Sequence, residues 1–168
     1  MTIKKITRLS MLLAISIVCS IIESFFPVLN GMIPGLKLGL ANLAILVTLD
    51  LYGVKEAFFL SITRVILVAL LRTGLFNVSF FFSLFGAIFS VLMMSLAYKS
   101  KLFSFVGISI VGSLSHSIGQ IIAAVLFLGA NMIHYLPVLL LFALPTGFFI
   151  GILSQKFLEY SVNILKEA

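Results

Sequence analysis

Six polar residues stand in or beside apolar runs of this chain: Glu23, Lys37, Asn42, Arg64, His116 and Gln120. A carboxylate, two cations, two amides and an imidazole form a set suited to binding. Lys37 and Arg64 donate hydrogen bonds to an anionic or carbonyl-rich ligand, and Asn42 and Gln120 can donate or accept. Glu23 is suited to orienting one of the two cations. His116 and Gln120 are four positions apart and share a helix face. Glu23 set against Lys37 and Arg64 leaves one net positive charge, and a histidine such as His116 can add another near neutral pH.

Each residue also has a plainer reading. Glu23 and Arg64 make a structural ion pair on one account. His116 and Asn42 are explained by hydrogen bonds between helices, and Lys37 by an anchoring role at a membrane interface.

Nothing in the sequence has the spacing of a catalytic centre. There is no phosphate-binding glycine loop, no Ser-His-Asp set and no H-x-x-x-H pair. The single cysteine, Cys19, excludes an intrachain disulfide and a multi-cysteine metal site. The expectation is therefore no catalytic residue, no metal and no cofactor.

The elements that must position these groups follow from composition. The 168 residues are 62% hydrophobic and 10% charged, with a mean hydropathy of +1.30. A soluble domain is about 45–50% apolar and about 25% charged. The bilayer is the natural solvent for this chain, and charged groups inside it each need a reason. The apolar runs are continuous rather than alternating, which excludes a β-barrel. The net charge of +6 reads as flanking topology signals, not as a nucleic-acid surface. Val18 precedes Cys19 where a lipoprotein signal wants a small residue, and no A-x-A site follows. Residues 1–29 therefore read as a retained span with a basic start.

Six apolar segments are expected as transmembrane helices, over 8–29, 38–52, 55–73, 76–98, 102–129 and 133–158, in a single domain spanning 1–168. The second is short, since about 20 residues cross a bilayer core. With the N-terminus inside, eight basic residues fall on inner segments: Lys4, Lys5, Arg8, Lys55, Lys99, Lys101, Lys156 and Lys166. Lys37 and Arg72 fall outside, and Arg64 lies within a span. This bias puts both termini in the cytoplasm. Asp50 and Glu56 come out near cytoplasmic ends, as solvated groups. The six polar residues come out from the midplane outwards, as a pocket opening to the outside.

Small residues recur every four positions, as in Ser16, Ser20 and Ser24, Ser79 and Ser83, Ser109 and Ser113, and Gly147 and Gly151. Such spacing lets helix backbones approach, either within the chain or, on the first span, against a partner. Pro137 predicts a helix start and Pro145 a kink. The stretch PGLKLGLANLA at 34–44 has its own logic. Gly35 and Gly39 permit tight turns, and Pro34 stiffens the loop before a helix near Leu38. That helix aims its positive dipole end at the pocket mouth, beside Lys37.

Four motifs taken in order, ESFFP (23–27), IPGLKLGLANL (33–43), SITR (61–64) and SHSIGQ (115–120), resemble the Gx transporter family, also described as heptaprenyl diphosphate synthase component I. The resemblance covers nearly the whole chain. It implies a likeness to the S components of energy-coupling-factor (ECF) importers in the bacterial cytoplasmic membrane. Those are six-helix proteins that bind a small-molecule solute near the outer face and dock onto a T component driven by two ATPase subunits. The synthase description implies an alternative, an accessory membrane subunit of isoprenoid or quinone biosynthesis. Prenyl transfer itself needs clustered carboxylates to hold Mg²⁺. This chain has one aspartate, Asp50, and four scattered glutamates. A non-catalytic role is expected.

Overall fold

The structure, a computed structural model, describes residues 3–23 and 39–167. Helix α1 (Ile3–Glu23) begins earlier than the apolar run because Lys4, Lys5 and Arg8 are good helix formers. Its buried residues, Leu12, Ser16, Ser20 and Glu23, lie on one face of its second half. Helix α2 (Asn42–Tyr52) follows a tight turn in which the Asn42 N–H donates to the Gly39 carbonyl at 2.9 Å. Gly53, at φ +95°, ends α2 and donates its N–H to the Leu49 carbonyl. A side chain there would strain the backbone, so glycine makes the joint into α3 (Val54–Val68).

Helix α3 runs on into a five-residue π-helical turn, Ala69–Thr73, closed by the Gly74 N–H on the Ala69 carbonyl at 2.7 Å. Asn77 caps α4 (Val78–Ser100) by accepting from the Ser79 N–H at 3.3 Å. Ser104 caps α5 (Phe105–Leu128) by accepting from the Gly107 N–H at 3.1 Å. A 3-10 turn, Ala130–Tyr135, leads into α6 (Leu136–Glu167). Pro137 lies in the first turn of α6, where its missing N–H has no helical partner to lose. Pro145 lies inside that helix.

The described residues contain helices and turns and no strand. Four segments are long and apolar enough to cross a membrane: Ile3–Glu23, Val78–Ser100, Phe105–Leu128 and Ala130–Tyr160. Helix α2 has 11 residues, so it is about 16 Å long at about 1.5 Å per residue. That is roughly half of a bilayer core of about 30 Å. Among the described residues each of the six expected apolar segments overlaps an α-helix, and four helical segments are long and apolar enough to cross a membrane.

Helix α2 is the hub. It packs against α1, α3, α4, α5 and α6, and Ile45, Leu46, Val47, Thr48 and Leu49 are all buried. A helix apolar all round belongs inside a bundle. Small residues bring α5 and α6 together. A Cβ on Gly147 would lie 2.8 Å from the Ile110 Cα, and one on Gly151 would lie 2.8 Å from the Val106 Cα. The expected small-residue spacing is therefore spent on contacts within the chain. The same holds in α1, where Ser16 Oγ donates to the Ala41 carbonyl at 3.3 Å and Ser20 is buried. Those two serines are turned inward and are not free for a partner. Large apolar side chains such as Phe59, Leu71, Leu141 and Phe149 point outward instead, as lipid-facing residues do.

One end of the bundle gathers polar contacts. Lys5 Nζ meets Glu56 Oε1 at 2.5 Å and joins α1 to α3. Tyr98 Oη donates to Asp50 Oδ1 at 3.3 Å and joins α4 to α2. Glu56, expected to be simply solvated, is engaged by Lys5, because α1 reaches further towards its N-terminus than the apolar run suggests.

Candidate functional site

A polar cavity lies where the C-terminal end of α1, the start of α2, and the middles of α3 and α5 converge. Its described lining includes Glu23, Gly39, Arg64 and His116, with Ser20, Phe80 and Ser83 beside them. The apolar wall is Val65, Val68 and Ala69. In this conformation the cavity offers about 20 Å³, room for about one water molecule.

Glu23 is the last residue of α1 and is buried. Its Oε1 accepts the backbone N–H of Gly39, which pins the approach to α2. Gly39 has φ +96°, and a Cβ there would press on the Asn42 amide nitrogen at 3.0 Å. Glycine is favoured at this position by its conformation, and the space beside it is tight. Arg64, in α3, is 4% exposed and lies in the field of the Glu23 carboxylate. A guanidinium this deep is tolerable only beside an opposite charge.

His116, in α5, is 2% exposed. Its ring fills the space above Gly86 of α4: a Cβ on Gly86 would lie 2.8 Å from Cε1 and 2.9 Å from Nδ1. The ring edge also faces Gly39, whose Cβ would be 3.7 Å from Cδ2. His116 thus bridges from α4 to the start of α2. Asn42 is buried behind Gly39, and its Nδ2 has no hydrogen-bond partner among the described residues. An unsatisfied buried amide is uncommon in folded proteins.

The structure therefore brings Glu23, Gly39, Arg64 and His116 to one cavity. Asn42 and Gln120 are buried but are not among the described lining, and Gln120 lies one helical turn past His116. Lys37, Pro34 and Gly35 lie outside the described residues. Sequence reasoning did not single out Ser20 and Ser83 as lining residues, although both belong to the small-residue series. Ser83 Oγ donates to the Ser79 carbonyl at 3.0 Å, so its oxygen remains able to accept. Phe80 belongs to the run FNVSFFF, whose spacing does not reveal an inward face. Val68 and Ala69 sit where α3 passes into its π-helical turn, a local widening often found at functional sites.

A carboxylate, a guanidinium and an imidazole around one cavity can hold a small polar group by charge-assisted hydrogen bonds. Among the described residues, the lining has no thiol and a single carboxylate. Such a set can orient a small polar ligand.

A family profile described as heptaprenyl diphosphate synthase component I matches residues 12–157. The chain belongs to that family. The match runs from the middle of α1 through most of α6, so the cavity lies wholly inside it. No curated protein and no solved structure matches the chain.

Proposed function

We propose that the protein is a non-catalytic membrane subunit that binds a small anionic or carbonyl-rich solute in the Glu23–Arg64–His116 cavity. On this reading it serves as the S component of an ECF-type importer in a bacterial cytoplasmic membrane. The observation that carries the binding role is the burial of a carboxylate, a guanidinium and an imidazole around one cavity in a chain of apolar helices. Charged groups at membrane depth mark ligand or ion sites by default.

On this reading all six helices lie within the bilayer, with both termini cytoplasmic and the cavity towards the outer face. Arg64 contacts the solute, Glu23 orients Arg64, and His116, Asn42 and Gln120 complete the polar wall. Lys37 adds a charge at the mouth. Solute entry widens the small cavity, and a T component with two ATPases supplies the energy.

The family description favours a second reading, because it names a component of heptaprenyl diphosphate synthase and so implies another synthase subunit. In that case the protein is an accessory membrane subunit of isoprenoid or quinone biosynthesis. Native mass spectrometry of the protein gently extracted from its own membrane separates the two. A bound solute, lost in Arg64→Ala, together with T and ATPase subunits supports the importer. A solute-free protein carrying a soluble prenyl synthase subunit overturns it.

A further inference from the structure

A second concavity lies far from the polar cavity, between the N-terminal halves of α1 and α3. It measures about 360 Å³ and is lined by Ile6, Leu9, Leu13, Phe59 and Leu60, with Ser10 and Thr63 among them and Lys55 and Glu56 at one end. The first turns of α1 are largely exposed, and its fully buried residues begin at Leu12. The Lys5–Glu56 pair bridges the two helices at the open end.

We propose that this groove binds an anionic phospholipid, one acyl chain lying along the apolar floor and the phosphate held at Lys55. The proposal is independent of what occupies the polar cavity.

Three observations support it. Apart from the Ser10 and Thr63 hydroxyls the lining is apolar, and it is charged at one end only, which is the layout of an amphiphile. The charge at that end is strongly basic: Lys4, Lys5, Arg8 and Lys55 stand within the first turns of the two helices, against Glu56 alone. Lys5 is already committed to Glu56, whereas Lys55 is exposed at the groove mouth. Basic pockets between transmembrane helices on the cytoplasmic side are suited to anionic head groups. Size also decides against a partner helix. A helix about 10 Å across and three turns long fills roughly 1,300 Å³, so it would lie across the groove and leave it unfilled. A single hydrocarbon chain is thin enough to enter.

The test is native mass spectrometry of the whole protein in detergent, titrated with dioleoylphosphatidylglycerol and, separately, dioleoylphosphatidylcholine. The chains are identical, so a difference reports the head group. Retention of the anionic lipid is expected to be about fivefold stronger, the effect of one basic side chain near a phosphate. Lys55→Gln is expected to abolish the difference and Lys55→Arg to keep it. Lys55 is exposed, so neither change threatens folding. Thr63→Trp, which fills the groove, is expected to weaken both lipids together. Equal retention of the two lipids by the unaltered protein overturns the proposal, as does a preference that survives Lys55→Gln. A photo-crosslinker at Phe59 that captures a protein in native membranes, in place of lipid, also overturns it.

Discussion

The imidazole of His116 occupies the space that a side chain on Gly86 would need, 2.8 Å from where its Cβ would stand. Two helices, α4 and α5, are thereby keyed by one ring and one missing side chain. The same ring faces the cavity that holds Arg64 and Glu23. The position of the imidazole is therefore a property of the helix packing, and a change on α4 should be felt at the site.

Gly86→Ala tests this directly. The added methyl must displace the ring, and overpacking of this kind costs about 1–3 kcal/mol. A lower melting temperature in detergent is expected, together with weaker solute retention. Gly86→Ala with His116→Ala should recover stability and not binding. Recovery of neither in the double variant would refute the keying.

Arg64 and Glu23 should behave as a coupled pair. Removing one member of a buried pair leaves an isolated charge and costs about 3–5 kcal/mol. Arg64→Met alone is expected to destabilise strongly, and Arg64→Met with Glu23→Gln to recover much of the loss. A thermal-melt double-mutant cycle reads the coupling. Additive effects would show that the two side chains act separately.

Glu23→Ala removes the acceptor of the Gly39 N–H. A hydrogen bond to a charged group contributes about 1.5–3 kcal/mol. Hydrogen exchange at the Gly39–Leu43 amides should accelerate, while exchange in α5 stays unchanged. Unaltered exchange at Gly39 would mean that the carboxylate does not hold the start of α2.

The Lys5–Glu56 pair should matter far less. Its side chains are 29% and 20% exposed, so solvent screens the attraction. Glu56→Gln is expected to cost less than about 1 kcal/mol, with the difference shrinking further in high salt. Melting temperatures at low and high salt check this, and a large, salt-insensitive loss would contradict it.

Gly147→Leu, by contrast, should separate α5 from α6. A side chain there meets the Ile110 backbone at 2.8 Å, and backbone cannot rotate away. A large loss of folded yield is expected, and a normal yield of stable protein would show that α6 can shift to accommodate it.

Much of this was legible in the sequence. Continuous apolar runs fixed where the helices lie, and the cost of charge in hydrocarbon singled out Glu23, Arg64 and His116, which do share a cavity. Rotation about each helix axis was less legible. A helix such as α2, or the phenylalanine-rich start of α4, shows little polarity to say which side turns inward. That is why Phe80 and Ser83 were not separated from their neighbours. The π-helical turn after Val68 left no signal either, because Ala69–Thr73 has an ordinary helical composition. The α1 serines carried the right spacing, but spacing alone does not say whether the surface they meet belongs to the same chain.

The shortness of α2 has a consequence for how the protein is made. Eleven residues are too few to partition into a bilayer on their own, and those between Ile45 and Leu49 are buried against other helices. Of the helices packed against α2, all but α1 emerge later, so its burial is complete only once α3 to α6 have been inserted around it. Truncated chains ending after α3 should therefore leave 42–52 accessible to a water-soluble thiol reagent at an introduced cysteine, and full-length chains should protect it. The hub of the finished bundle is thus one of its first helices to leave the ribosome and one of the last to settle.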